Sequence, residues 1–570
     1  MENRMKILRV NMRAGEIRYE DVPEAWRRLG GRGLIARIML DEVPPLCEPL
    51  GPLNKLIFAP GLLVGSMISA CDRISVGGKS PLTGGIKEAN AGGTTGQRMV
   101  WLGIYALIIE DGPPEDGGWK TLYIDAQGAR LEPADELVGM TPQAVADRFE
   151  AQYGKGITVS NIGTGGEMMY LTAGIQHTDK DQNQTRISAR GGLGAVMGSK
   201  HLKAVVFNHP NANLPPLVDK ERFRAASRRY LQALKDNPQT SQIYTFYGTA
   251  AMVAMANALG GLPTRNFSTG SFEDAEKISG ETIHDLTQAR GGKVDHACMP
   301  GCIIKCSNEY YGPDNKALVS PLEYETIGLM GSNLGINDPD SIAQLNAAAN
   351  EIGIDSIDCG AALGVAAEAG LMQWGDGARA LELMDEIRRG TPLGRILGSG
   401  AGLAGKVLGI TRVPVVKNQA MSAYDPRTIK GTGVTYATSP QGADHTAGNP
   451  VRAKVDQADP EGKVQLSRES QYNSAGYDTL GVCAMGGFGF GMDAELVPEM
   501  INGRYGWEVD KSYLRNLGRE TILMEREFNR RAGFTSAADR IPEWMQVEQL
   551  APKNAVFDVP DAELDTIYNE

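Results

Sequence analysis

No run of about 18 consecutive apolar residues occurs anywhere in the 570-residue chain, so no helical membrane span is expected. The start, MENRMKILRV, lacks the apolar core of a secretory signal, and no twin-arginine signal is present, which points to a cytoplasmic protein. Basic residues fall short of a nucleic-acid footprint: Lys+Arg number 57 against 69 Asp+Glu, a net charge of -12, leaving room only for a local basic pocket for a small phosphate. Cysteine is scarce too. The seven, at 47, 71, 298, 302, 306, 359 and 483, are odd in number and too sparse for a disulfide scaffold. Neither a Gly-x-Gly-x-x-Gly turn in a strand-to-helix setting nor an internal repeat is evident.

What the chain has in excess is glycine, 70 residues, nearly twice the usual share, dense in the first two hundred positions and around 476–491. Backbone must turn sharply there or approach something closely. A hairpin is predicted over 5–22, followed by short β-rich runs at 56–60, 73–79, 104–110, 120–125, 157–163 and 203–207. After the linker HPNANLPPLVD, Phe223, Ala226, Tyr230, Leu231 and Leu234 fall on one helical face, and Asn337-Asp338-Pro339 opens an alanine-rich helix. The expected fold is α+β multidomain: a β-rich domain over 1–210, then two mainly α-helical domains over 211–412 and 413–570, the last closing with the helix YLRNLGRETILMEREFNRRAG.

Three cysteines crowd into DHACMPGCIIKCSN as Cys298, Cys302 and Cys306, with Pro300 and Gly301 interrupting regular structure. With the distant Cys483 they form a candidate four-thiolate set for a [4Fe-4S] cluster. Two other readings stay open: three small hydrophobes along one helical face, and a zinc site, although zinc usually takes closer Cys-x2-Cys pairs. Cys47, Cys71 and Cys359 stand singly and are expected to pack in cores.

The stretches RISVGGKSPLTGGIKEANAGGTTGQ and ARGGLGAVMGSKHLKA offer backbone N–H groups and cations to anions, though glycine turns explain them nearly as well. Together with GGRGLIARIMLDEVPP, GPLNKLIFAPG, PLEYETIG, YDPR, YATSPQGADH and DTLGVC, in order and over essentially the whole chain, they resemble the aldehyde ferredoxin oxidoreductases. The resemblance implies tungsten, or in rare cases molybdenum, held by two pterins, a [4Fe-4S] cluster and a magnesium ion bridging the pterin phosphates. It places Asn90, Gly92 and Gly93 at the phosphate and magnesium end, Arg190, Gly191 and Gly192 at the second phosphate loop, and Arg73 between pterin and cluster. Its pterin motifs match Asp478, Gly481, Val482 and Cys483 well. They match Asn350, Gly353 and Asp355 less well, because asparagine replaces an aspartate, and Cys-x3-Cys-x3-Cys departs from the usual Cys-x2-Cys-x3-Cys.

The same resemblance makes Glu325 and His445 the active-site acid/base and hydrogen-bonding residues, with Tyr324 and Tyr424 lining the pocket. On the residues alone, the favoured readings are a solvated helix charge for Glu325 and a donor to a loop carbonyl for His445. The implied substrate is a small-molecule aldehyde or carboxylic acid and the implied electron partner a ferredoxin or small iron-sulfur subunit; an oligomer is expected, with no nucleic acid and no membrane span. Two alternatives remain, a tungsten subunit of a benzoyl-CoA-reductase-like complex and a non-catalytic iron-sulfur electron-transfer protein.

Overall fold

A computed structural model describes residues 5–209 and 211–569. The first 208 residues build two six-stranded sheets. The first contains β1 (Lys6–Asn11), β2 (Glu16–Asp21), β3 (Leu56–Pro60), β4 (Ile74–Lys79), β5 (Ile86–Ala91) and β6 (Ile104–Glu110), in the order β2-β1-β6-β3-β4-β5. The second contains β7 (Lys120–Asp125), β8 (Gly128–Pro133), β9 (Thr158–Asn161), β10 (Ile175–Thr178), β11 (Gln184–Ser188) and β12 (Leu202–Asn208), in the order β8-β7-β12-β9-β10-β11. Central strands β3, β4 and β9 are buried at every position, whereas charged EIRYED of β2 blunts an open edge.

The two orders are the same topology, each with its parallel pair, β1 with β6 and β7 with β12. Each sheet also carries two helices at matching places in the chain: α1 (Gly31–Glu42) and α2 (Thr95–Trp101) in the first, α3 (Pro142–Tyr153) and α4 (Leu193–Ser199) in the second. A duplicated unit is therefore present where the sequence shows no repeat. Strand pairing needs only a matching pattern of burial and turns, so the topology can persist after the residues have diverged.

The helical remainder confirms the amphipathic reading of α5 (Lys220–Asp236), which buries Phe223, Ala226, Tyr230 and Leu234 and leaves Leu231 half-buried on the flank. Next come β13 (Lys293–His296), β14 (Ser307–Tyr311) and α6 (Tyr324–Met330). Asp338 caps α7 (Pro339–Ile352), accepting from the N–H groups of Asp340 and Ser341, and α8 (Ser356–Glu368) follows. Helices α9 (Lys463–Leu480) and α10 (Tyr513–Arg531) pack so closely that a Cβ on Gly518 would lie 1.8 Å from the Tyr472 carbonyl oxygen. The chain does not close on α10: residues 532–569 fold back, and Gly270 donates to the Ala551 carbonyl at 2.9 Å.

Each sheet receives the C-terminus of one helix. The last carbonyls of α9 accept from the sheet domain's backbone: Leu62 N to Thr479 O at 3.2 Å, Leu63 N to Leu480 O at 2.9 Å and Arg73 N to Gly481 O at 3.1 Å. The second sheet repeats the arrangement on α7, with Gly174 N to Gly353 O at 3.0 Å and Asp355 N to Thr172 O at 2.9 Å. Carbonyls that a helix end leaves unpaired are satisfied across the junction. Gly353 and Gly481 terminate their helices at the same φ of +79°, in the left-handed region. A Cβ on Gly61 would lie 2.0 Å from the Gly481 nitrogen, and one on Gly163 2.3 Å from the Ile352 carbonyl oxygen, so only glycine permits these approaches.

Gly61→Ala is expected to force the first junction apart and lower the apparent unfolding temperature by much more than Gly15→Ala. At Gly15 a Cβ meets nothing within 4 Å, so the cost there is only the positive φ, about 1 kcal/mol. Thermal unfolding of both variants beside the parent measures the difference.

Candidate active site

A cavity of about 830 Å3 lies between the sheets and the helical units. Cys298, Cys306 and Cys483 line one wall, with Cys302 buried alongside in the same apolar cluster. The three-cysteine segment is a loop joining β13 to β14, broken by Gly301 at φ +73° and Lys305 at φ +51°, so the helical-face alternative does not hold. The first sheet's connections hold both cysteine segments: Gly93 N donates to Cys298 O at 3.2 Å, Ile303 N to Ser69 Oγ at 3.0 Å and Cys483 N to Ala70 O at 2.8 Å. All seven cysteines are free. Burial pushes the Cys298 thiol up to about 12 and raises those of Cys302 and Cys306, and neighbouring thiols of the four add to each rise. Buried Cys71, expected only to pack, sits within the electrostatic reach of Cys483 and Cys302.

Arg73 lines the cavity at this wall. Burial opposes its charge, but Cys483, Cys298, Asp478 and Glu88 overcome that and raise its pKa. It donates to the Asn90 side chain and, at 2.9 Å, to the Asn90 carbonyl; Asn90 Nδ2 donates to Asp478 Oδ1 at 3.1 Å. Arg32 grips the other Asp478 oxygen at 3.2 Å and Glu525 at 2.8 and 2.9 Å. Gly92 and Asn350 also face the cavity.

Elsewhere on the lining, α6 supplies Tyr324 and Glu325, and the segment after Ala443 supplies His445. Glu325 Oε2 accepts from Ala423 N at 2.8 Å, while Oε1 lies 3.3 Å from His445 Nε2 without the alignment of a hydrogen bond. Burial raises the Glu325 pKa above the ordinary glutamate range. Ser422 Oγ is 2.8 Å from His445 Nδ1 and takes a hydrogen bond from Arg190 at 3.3 Å. With its own proton given to Nδ1, the ring proton would sit on Nε2, on the side of Glu325. Tyr324 donates to the Ala423 carbonyl and stacks at a tilt on Tyr424, 5.2 Å between centroids; Tyr424 stands 5.9 Å from His445. Glu325, His445, Tyr324 and Tyr424 thus share one wall.

Arg190, Gly191 and Gly192 do not line the cavity, nor do Gly93, Gly353, Asp355, Gly481 and Val482. Arg190 is buried and committed to protein: Asp355 and Asp358 at 3.2 Å each, Asp444 at 3.8 Å and the Ala443 carbonyl at 2.7 Å. Asp355 is also occupied as the cap of α8, accepting from Ile357 N and Asp358 N. Gly191 lets Lys87 pass, since a Cβ there would be 2.4 Å from Lys87 Cγ, and Lys87 reaches Asp444 at 2.7 Å. Lys87 and the nearby cations hold Asp444 well below the usual carboxylate range despite burial. Sequence reasoning singled out none of Arg32, Lys87, Asp358, Asp444 and Glu525, because a charge gives no sign of burial until its partner, hundreds of residues away, is known. His296 was missed as well; its Nε2 lies 2.6 Å from Asp181 and ties the cysteine loop to the second sheet.

The model of the aldehyde ferredoxin oxidoreductase N-terminal domain matches residues 7–209, and that of domains 2 and 3 matches residues 225–570. The chain belongs to the aldehyde ferredoxin oxidoreductase family. It is accordingly an oxidoreductase. Among relatives of this family, the tungsten-containing aldehyde ferredoxin oxidoreductases of Thermococcus kodakarensis and Pyrococcus furiosus are 32% and 30% identical, each over 94% of this chain and 90% of theirs. The WOR-like subunit of an aliphatic sulfonate oxidoreductase from Pyrococcus furiosus is 27% identical over 75% of this chain and 72% of its own. Among solved structures, the active-site complex BamBC of benzoyl coenzyme A reductase with 1,5-dienoyl-CoA shares the fold. Its TM-score is 0.80 at 19% identity, covering 99% of this chain and 93% of that one.

For this family member, Arg190→Met would strand three carboxylates beneath the cavity. The expected loss of stability is about 3–5 kcal/mol, as for other buried pairs broken on one side. Arg13→Met, removing a half-exposed pair with Asp111, should cost about 1 kcal/mol or less. Denaturant titration of both variants checks the contrast.

Proposed function

We propose that the cavity holds a tungsten bis-pterin centre and that the enzyme interconverts aldehydes and carboxylic acids. Electrons would leave through a [4Fe-4S] cluster to a ferredoxin or a small iron-sulfur subunit. The observation that carries this reading is the Glu325 and His445 pair, with Glu325 Oε1 unbonded and 3.3 Å from His445 Nε2, on the lining of the same cavity as Cys298, Cys306 and Cys483.

The residues present suit these groups. Four free thiols gathered beside one cavity wall form a set that iron would bind, and Cys298, Cys302, Cys306 and Cys483 would be its ligands. Arg73, Asn90, Gly92 and Asp478 offer donors, acceptors and close backbone to one pterin, and Asn350 occupies the matching position at the end of α7 for the other. Gly93, Arg190, Gly191, Gly192, Gly353, Asp355, Gly481 and Val482 would then act beneath this layer, fixing the two helix ends. A magnesium ion between pterin phosphates would belong near Asn90. The segments 1–210, 211–412 and 413–570 would serve as cofactor base, three-cysteine unit and fourth-cysteine unit.

When bound, such a centre supplies a two-electron acceptor. The chain supplies the proton chemistry. His445 Nε2–H can donate to the aldehyde oxygen and orient the carbonyl, and Glu325 Oε1 can take a proton from the water that adds to it. Tyr324 and Tyr424 exclude bulk water beside both groups.

Glu325 acts here as a base and must be ionised, so turnover should rise with pH through its elevated pKa. Glu325→Gln should abolish that rise and reduce kcat by about 10²–10⁴-fold, read as viologen-linked oxidation against pH. Anaerobically purified protein should contain tungsten and about four irons, and Cys483→Ser should lose iron and the cluster's electron-spin-resonance signal. Iron without tungsten would favour a non-catalytic electron carrier. Turnover of aromatic thioesters but not aldehydes would favour a benzoyl-CoA-reductase-like subunit.

A further inference from the structure

We propose that Arg452 is a specificity-determining residue forming a distal anion subsite, so that this cavity selects aldehydes carrying a carboxylate at the end remote from the reacting carbon. This subsite depends on the aldehyde reading above for its substrate class.

His445 and Arg452 lie seven residues apart on one segment, and both line the cavity, together with Thr446, Asn449 and Val451 between them. The Arg452 side chain crosses to the wall built by residues 244–252. Its Nε donates to the Tyr244 hydroxyl at 2.9 Å, its guanidinium lies over the Tyr244 ring at 5.0 Å from the centroid, and Nη2 is 2.9 Å from the Met252 sulfur, a weak acceptor. The arginine is thereby held in place without being neutralised.

No carboxylate lies within 4.0 Å of Arg452 among the described residues. The cavity's other guanidinium groups are differently placed: Arg73 is bonded to Asn90, and Arg186 lies 3.9 Å from Asp179. Of the acids on the lining, Asp478 is engaged by Arg32 and Asn90, Glu325 faces His445, and Glu323 is exposed beside Cys306. Arg452 is therefore a preorganised cation with unused donors pointing into a cavity, and a guanidinium fork matches the two oxygens of a carboxylate.

Its place relative to the chemistry follows from the tyrosines. Tyr424 stands 5.9 Å from His445, and Tyr244, on which Arg452 rests, lines the same cavity. A substrate with its carbonyl at His445 and its anion at Arg452 would bridge two points on the lining of one cavity that also presents the Tyr424 and Tyr244 rings, which suits a short chain or an aromatic ring between the two groups.

The test uses the anaerobically purified holoenzyme with matched pairs of substrates: butanal against succinic semialdehyde, and benzaldehyde against 4-carboxybenzaldehyde. The expected result is a kcat/KM at least about tenfold higher for the carboxylated member of each pair. Arg452→Met should reduce it by about 10–100-fold, chiefly through KM, with a loss at least tenfold smaller for the neutral member, and Arg452→Lys should restore part of it. Thermal unfolding with terephthalate or benzoate added gives a readout independent of turnover: terephthalate should raise the unfolding temperature of the parent and fail to do so for Arg452→Met. Equal kcat/KM within both pairs, or equal losses for both members in the variant, would overturn the subsite. If no aldehyde is oxidised, the aldehyde reading fails, and the terephthalate comparison still decides whether Arg452 binds the anion.

Discussion

Two helix ends, each finished by the backbone of a β-sheet, determine where the chemistry of this enzyme sits. A helix leaves its last carbonyls unpaired, and burying them without partners costs more than most side-chain contacts return. Here α9 and α7 spend theirs on the two halves of a duplicated sheet unit, with Gly481 and Gly353 reversing the chain at equivalent points. Because these bonds run between main chains, the junctions fix the helices without involving the side chains that follow. Cys483 and Asp355, one at each reversal, are aimed by that backbone geometry. The glycine excess of the first two hundred residues is the compositional trace of it, since Gly61 and Gly163 stand where a single added carbon would collide with the docked helix.

Beneath the cavity the same layer is fastened by charge. Arg32 joins Glu525 and Asp478, Lys87 joins Asp444, and Arg190 joins Asp355, Asp358 and Asp444, all but Asp478 at most 7% exposed on the side chain. Such pairs contribute little net stability, because desolvation consumes most of the attraction. Their effect is to make alternative packings expensive, because any displacement strands a buried charge. The result is a rigid floor on which Arg73, Asn90 and Asp478 can present fixed donors and acceptors to a large charged ligand.

What was legible in the sequence follows from the range of the interactions concerned. The β1–β2 hairpin, the face of α5 and the Asp338 cap are set by residues within a few positions of one another, and the pattern there predicts them correctly. Strands β5, β8, β10 and β11 were not marked. Ile86–Ala91 reads as a loop until its pairing with β4 is known, because Lys87 and Asn90 within it are paired by Asp444 and by Asp478 of α9. The duplication was invisible for a related reason, being a property of pairing order rather than of residues. Glu325 and His445, which the resemblance to a family singled out, lie together on the cavity lining, where the residues alone favoured a solvated charge and a loop contact. The resemblance could not show that Arg190 is consumed by three aspartates, since that depends on which donors remain unused.

This separation between a fixed floor and a freer wall bears on how one fold accommodates different reactions. Relatives named for aldehydes and for aliphatic sulfonates retain much of this sequence, and a benzoyl coenzyme A reductase complex retains the fold at 19% identity. The sheet-to-helix junctions leave little freedom to Cys298 and Cys483, for main-chain bonds tie both segments to the sheet. The segment from His445 to Arg452 is constrained differently. His445 is fixed by Ser422, which Arg190 holds in turn, so the proton-handling end is anchored to the floor. Arg452 is fixed by Tyr244 and Met252, buried residues of the 244–252 segment that make no hydrogen bond to Ser422 or Arg190. Substitutions along residues 244–252 can therefore alter which substrate fits while leaving the reacting end in place. On the proposed assignment, recognition and chemistry would share a loop but draw their rigidity from different partners, which is the physical condition for changing one without losing the other.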